Sequence, residues 1–320
     1  MLSMNRRQVV GAGLAALAAG IMPCRAQARV PGPGARRVLR LAHITDCHVQ
    51  AGPGESGMAR AFAHLQGQAD APTLIINTGD TIMDSSARTG AATDAQWALW
   101  QKIVQAECDL PIYSCLGNHD LWGTNKQASQ TTGNEDLWGW RRGVAGLRLD
   151  APYYSFNRAG WHFVALNDTH IEGGYSARLD DEQYAWLAAD LAAQPAGRPV
   201  LVFSHHPIIS VSGYFDGDRL DGGTWTVPGT WMHADAVRLK DLFYEAGNVR
   251  LCLSGHMHQV DYAEFLGTAY FCGGAVSANW WNEDLPNYYE CHRGYGLVDL
   301  YDDGSHQVQY IEYDRDHRPG

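Results

Sequence analysis

The chain has 320 residues, 45% of them hydrophobic and 18% charged, which bounds a globular protein with a sizeable core in one large domain or two. Asp and Glu outnumber Lys and Arg by 35 to 24, a net charge of −11 at pH 7. A surface that acidic repels nucleic-acid backbone and anionic lipid, so neither is an expected partner.

Residues 1–28 read as an export signal and not as fold. Arg6 and Arg7 precede an apolar stretch over 9–22, and Ala26-Gln27-Ala28 forms a cleavage-type site. The arginine pair resembles a twin-arginine signal, which implies transit of the folded protein through the twin-arginine export machinery. The apolar run is short for a membrane span, and Ile21-Met22-Pro23 before Cys24 fits lipidation poorly. The expectation is a periplasmic or secreted protein with no stable membrane anchor after cleavage. Losing the three arginines of that segment would take the net charge to about −14. Residues 29–320 are expected to form a single domain with loop insertions at about 121–152 and 208–233.

From there the pattern alternates. A strand is expected over 38–45, a helix over 57–68, a strand over 74–77, a helix over 93–106 and a strand over 112–116. This βαβαβ order predicts parallel strands with helices outside. Periodicity breaks over 121–149, a Gly-rich stretch with Trp122, Lys126, Trp138, Trp140, Arg141 and Arg142. It begins just after His119 and reads as a lid carrying substrate contacts, Trp122 and Arg141 among them. A strand pair follows over 153–156 and 161–167, then a helix over 180–194, a strand over 200–203, a helix over 234–246 and a strand over 249–253. Strands at 260–265, 268–272, 296–301 and 307–313 complete two facing sheets with helices on both outer faces.

Five strand ends carry metal-type or acid–base residues: Asp46-x-His48, Gly79-Asp80, Gly117-Asn118-His119-Asp120, His205-His206-Pro207 and Gly255-His256-x-His258. Functional crevices of open α/β sheets lie at the carboxyl ends of strands. Each motif alone is weak, because a single Asp at such a turn is more often a helix N-cap. Gly255 is expected to permit a sharp turn where its strand stops. Asp and His suit borderline ions such as Fe, Mn or Zn, and this many donors suit two ions. Cys47 is expected to point away from them, and the Cys spacing supports no disulfide assignment.

The ordered set resembles the calcineurin-like metallophosphoesterase superfamily from about residue 39 to 258, and the tail is similar to a bacterial exported branch. The resemblance implies a four-layer α/β/β/α sandwich of two facing mixed sheets. It implies two divalent or trivalent metal ions. Asp46, His48 and His258 would hold the first, and Asn118, His205 and His256 the second. Asp80 would bridge, with one carboxylate oxygen to each. His206 would point to the opposite face. The implied activity is hydrolysis of a small-molecule phosphodiester or phosphomonoester by metal-held hydroxide. His119 would be the general acid, oriented by Asp84 or Asp120. Met83 stands where purple acid phosphatases carry a metal-bound tyrosine, so a purple chromophore is not expected. Tyr214, Phe215, Arg219, Trp225 and Trp231 after the His-His-Pro motif, and Trp280 and Trp281 later, are aromatic or basic loop residues. Tyr214 and Trp281 are the expected substrate contacts. A metal or phosphate binder without activity is opposed by the full donor set and His119. A nuclease is opposed by the acidic charge.

Overall fold

The computed structural model describes residues 30–171, 176–215, 220–282 and 291–314. The expected export signal and Arg219 lie outside the described residues.

A first sheet of five strands has the order β15-β14-β1-β2-β3. Its strands are β1 (Arg37–Ile44), β2 (Ile75–Asn77), β3 (Ile112–Ser114), β14 (Gly294–Tyr301) and β15 (His306–Glu312). β1, β2 and β3 run parallel, and β14 and β15 close the edge antiparallel. A second sheet of six strands has the order β12-β13-β11-β8-β5-β4. These are β4 (Tyr154–Arg158), β5 (Trp161–Ala165), β8 (Val200–Phe203), β11 (Val249–Ser254), β12 (Asp261–Phe265) and β13 (Thr268–Cys272).

The unbroken apolar runs are strands buried on both faces, and period-2 alternation sorts their side chains. Leu39 and Leu41 of β1, with Phe163, Leu201, Phe203, Leu251 and Leu253 of the second sheet, fill the layer between sheets. Ala42 and Ile44 face outward, onto Met58, Phe62 and Leu65 of α1 (Pro53–Gln66) and Trp97, Trp100 and Ile103 of α2 (Gly90–Glu107). Val164, Val200 and Val202 face the other way, onto Leu187 and Leu191 of the helix Asp181–Ala192 and Leu239 and Phe243 of the helix Ala236–Ala246. Each fully buried Leu or Phe stabilises by roughly 1.5–3 kcal/mol, so the intersheet layer is what docks one half on the other. The result is the α/β/β/α sandwich.

Caps set the helix starts: Thr89 accepts from the Ala92 amide, and the Asp180 carboxylate accepts from the Gln183 amide at 2.8 Å. The 121–149 stretch, expected as one long aperiodic loop, has regular structure within it. It contains two short helices, Lys126–Ser129 and Trp140–Leu147. Their four and eight residues are too few to show a periodic signal. Two small antiparallel pairs have too few residues to show in the sequence pattern, β6 (Thr169–His170) with β7 (Ser176–Ala177) and β9 (Leu220–Asp221) with β10 (Thr224–Trp225). No helix among the described residues is long and apolar enough to cross a membrane.

Candidate metal centre

The five strand ends converge. Asp46, His48 and His258 place their donor atoms within 4.8 Å of one another, as do Asp46, Asp80 and His205. His48 Nε2 lies 3.1 Å from His258 Nε2, and His258 Nε2 lies 3.3 Å from Asp46 Oδ1. His205 Nε2 lies 3.0 Å from Asn118 Oδ1, 3.2 Å from His256 Nδ1 and 3.3 Å from Asp80 Oδ2.

The backbone is bent to make this possible. Asp46, His48, Asp80, His256 and His258 all have φ between 43° and 69°. Non-glycine residues rarely adopt this left-handed conformation, and it gathers at functional sites where surrounding structure enforces it. None of the three aspartates caps an α-helix. Asp46 Oδ2 accepts the His256 amide from the other sheet at 2.9 Å. Gly255 serves for space, not for a left-handed turn, since its φ is not positive. A Cβ there would sit 1.8 Å from Thr45 Oγ1 and 2.4 Å from Asp46 Oδ2.

The donor set fits metal. Burying polar groups costs free energy unless they are paired. Asp46 Oδ1 is buried with no hydrogen-bond partner among the described residues. His258 Nδ1 donates to the Ala278 carbonyl at 2.6 Å and His205 Nδ1 to the Thr78 carbonyl at 2.8 Å. A carbonyl can only accept, so a neutral ring there turns its Nε2 lone pair inward, the usual brace of a metal-bound imidazole. Lone pairs and carboxylate oxygens thus face each other and call for positive charge. The ring of His205 shows the same demand. Burial opposes a charge on it, yet Asp80 outweighs burial and lifts it to about 10. Burial with the neighbouring His119 pushes His48 down to about 3.

Asp80 departs from the expected two-oxygen bridge. Its Oδ1 accepts the His119 amide at 2.8 Å. Its Oδ2 alone faces both groups, 3.7 Å from His48 Nε2 and 3.3 Å from His205 Nε2.

His119 has a side chain 30% exposed, and its Nε2 is 3.9 Å from Asp80 Oδ2. Burial opposes its charge, but Asp80 and the Met83 carbonyl outweigh that and raise it above the ordinary histidine value. Neither expected carboxylate orients it. The ring's Nδ1 bonds the Met83 carbonyl at 2.7 Å. Asp84 is engaged by the amide and hydroxyl of Ser86, at 2.9 and 2.6 Å. Asp120 is fully buried and accepts the amides of Thr81, Ile82 and Gly117 at 3.0, 3.2 and 2.9 Å. It ties the Gly79-Asp80 loop to the Gly117 loop. Burial and then Asp80 push it up to about 7, against those amides.

Two of the four expected substrate contacts are packed inside. Trp122 is 5% exposed, donates to the Arg88 carbonyl and is covered by Arg142 at 3.9 Å. Trp281 is 4% exposed and donates to the Cys47 carbonyl at 3.0 Å, in the space that Gly57 leaves. Arg141 is exposed over Trp140, and Tyr214 is exposed against Trp225. Among the described residues, no hydrogen bond, ion pair or ring contact joins either to the donor cluster. The aromatic at the site is Trp280, part-exposed, with its ring 4.7 Å from His258 and 5.9 Å from His48. Adjacent side chains diverge, and nothing in a Trp-Trp pair tells which one faces inward.

His206 does not turn to the opposite face. Its ring centroid is 4.2 Å from that of His256. Alternation holds only within a strand, and β8 ends at Phe203. Cys47 does lie away from the donors, in the core under α1. All six described cysteines are free.

The model of the calcineurin-like phosphoesterase family matches residues 39–260, most of the chain and all five motifs. The chain belongs to that family. It is 25% identical over 198 residues to the Arcobacter nitrofigilis protein named "Probable glycerophosphodiester phosphodiesterase GpdQ". The match covers 62% of this chain and spans 60% of the length of that relative. Among solved structures it is similar to a dimetal phosphatase from Danio rerio, with a TM-score of 0.60 and 15% identity over 87% of this chain and 97% of that one. It is also similar to the purple acid phosphatase PPD1 of yellow lupin, with a TM-score of 0.57 and 16% identity over 88% of this chain and 52% of that one. Both likenesses are of fold.

Proposed function

We propose that this member of the family is a two-metal phosphoesterase acting on small-molecule phosphodiesters or phosphomonoesters. The observation that carries the reading is the inward set of lone pairs and carboxylate oxygens on left-handed backbone. Asp46, His48 and His258 would hold one ion and Asn118, His205 and His256 the other, with Asp80 facing both sets through Oδ2. When bound, the pair would ionise a water near neutral pH and neutralise the phosphoryl oxygens. His119 is held by the Met83 carbonyl with Nε2 on the Asp80 side. As the imidazolium it donates the Nε2 proton to the departing alkoxide. Trp280 walls the entrance over His48 and His258 and packs on the organic part of the ester.

The acidic charge favours a small ester over a nucleic acid, and the named activity of the Arcobacter relative favours a diester. Export by the residue 1–28 signal belongs to the same proposal, and N-terminal sequencing of protein from the periplasm would test it. A mature chain still starting at Met1 would remove that part.

The test is hydrolysis of bis-p-nitrophenyl phosphate and p-nitrophenyl phosphate by chelator-stripped protein before and after loading with Mn, Zn or Fe. Metal-dependent turnover of at least one ester is expected. A protein holding two ions that hydrolyses neither contradicts the proposal.

A further inference from the structure

His205 and His258 are each braced by a carbonyl oxygen. The His256 ring has no oxygen partner among the described residues. Among the described residues its ring hydrogen-bonds His205, and the His206 ring lies against it at 4.2 Å and 48°. The donor atoms of His205, His206 and His256 lie within 4.8 Å of one another.

His206 is itself fixed from behind. Asp168 Oδ2 accepts its amide at 2.7 Å, and Asp168 Oδ1 accepts from its Nδ1 at 3.1 Å. Asp168 is fully buried and also faces His233 Nε2 at 3.2 Å. His233 Nδ1 meets Asp235 Oδ1 at 2.9 Å, and Asp235 Oδ2 accepts the Leu179 amide at 3.0 Å. Burying the Asp168 carboxylate with two imidazoles, beside a part-buried Asp235, costs several kcal/mol that an apolar cluster of equal volume would not. Packing alone therefore gives no reason for this cluster. It reaches the donor atoms through His206.

We propose that Asp168, acting through His206, is the positioning group for His256, and that the His205/His256 half of the centre depends on this buried cluster. The inference rests on the two-metal reading. It assigns to Asp168, His206 and His233 a part that the ligand pattern does not include. Supports behind metal-binding histidines are worth about 10–100-fold in metal affinity.

The experiment titrates Mn²⁺ into chelator-stripped full-length protein, counting bound ions and following the electron paramagnetic resonance of a coupled pair. Wild type should take up two ions and show the coupled signal. His206→Ala and Asp168→Asn should keep one ion at wild-type affinity and lose about 10-fold or more on the other, with the coupled signal weakened to match. A merely structural role would lower the melting temperature without separating the two affinities. Two ions at wild-type affinity in His206→Ala, or parallel weakening of both, overturns the inference. If Asp168→Asn does not fold, His206→Ala decides alone, since Asp168 then keeps His233. A wild type that binds fewer than two ions overturns the two-metal reading itself, a different result from any variant failure.

Discussion

The five-stranded sheet delivers Asp46, His48, Asp80 and Asn118 to the centre, and His119 beside them. The six-stranded sheet delivers His205, His256 and His258 and no carboxylate. The first half carries the negative charge, and the second supplies imidazoles aimed by Thr78 and Ala278. They meet at Gly255, where a side chain would strike Thr45 and Asp46. Each proposed ligand set, Asp46, His48 and His258 or Asn118, His205 and His256, draws on both sheets, so the centre reports directly on how the sheets dock.

That contrast can be broken from either side. Asp80→Asn removes the charge shared by both groups while keeping the volume. Metal content should fall, and hydrolysis should drop by about 10²–10³-fold, as when a charge-stabilising group is lost. Retention of two ions by elemental analysis would show that Asp80 is not shared. His119→Ala should cost about 10²–10⁴-fold in kcat with metal content unchanged. The loss should be larger for alkyl esters than for p-nitrophenyl esters, whose leaving group needs little protonation. Equal losses on both would remove the acid role. Gly255→Ala should destabilise by about 1–3 kcal/mol through overpacking and loosen metals from both halves. An unchanged thermal midpoint would show that the sheets tolerate separation. Trp280→Ala should raise KM several-fold with little change in kcat, and an unchanged KM would leave Trp280 as a shield only.

The smallest effect is on pH. Burial opposes charge on His233, but Asp168 and Asp235 outweigh it and raise it to about 9 from 6.5. Its contribution to stability is whole below about 6.5 and is lost as pH rises through about 9. The midpoint should fall by a few degrees over that window in the metal-free protein, and less in His233→Gln. A flat wild-type profile would contradict the pairing.

Much of the frame was legible because apolar runs followed by Asp, Asn or His mark buried strands and their functional ends. Leu41, Ile76, Phe203 and Leu253 announce the intersheet layer, and the residues just past them form the donor cluster. What local pattern could not show was set by approach across the fold. His206 lies past the end of its strand, where alternation stops applying. Asp120 reads as an orienting acid, yet three amides from two loops claim it. Trp281 fills the space left by Gly57, more than two hundred residues earlier, and that leaves Trp280 at the site.

Anomalous diffraction from crystals of the Mn-loaded protein tests the central claim most directly. Two peaks about 3.5–4 Å apart are predicted, one beside Asp46, His48 and His258, the other beside Asn118, His205 and His256, with Asp80 Oδ2 between them. A single peak, or a pair bound elsewhere on the chain, would contradict it.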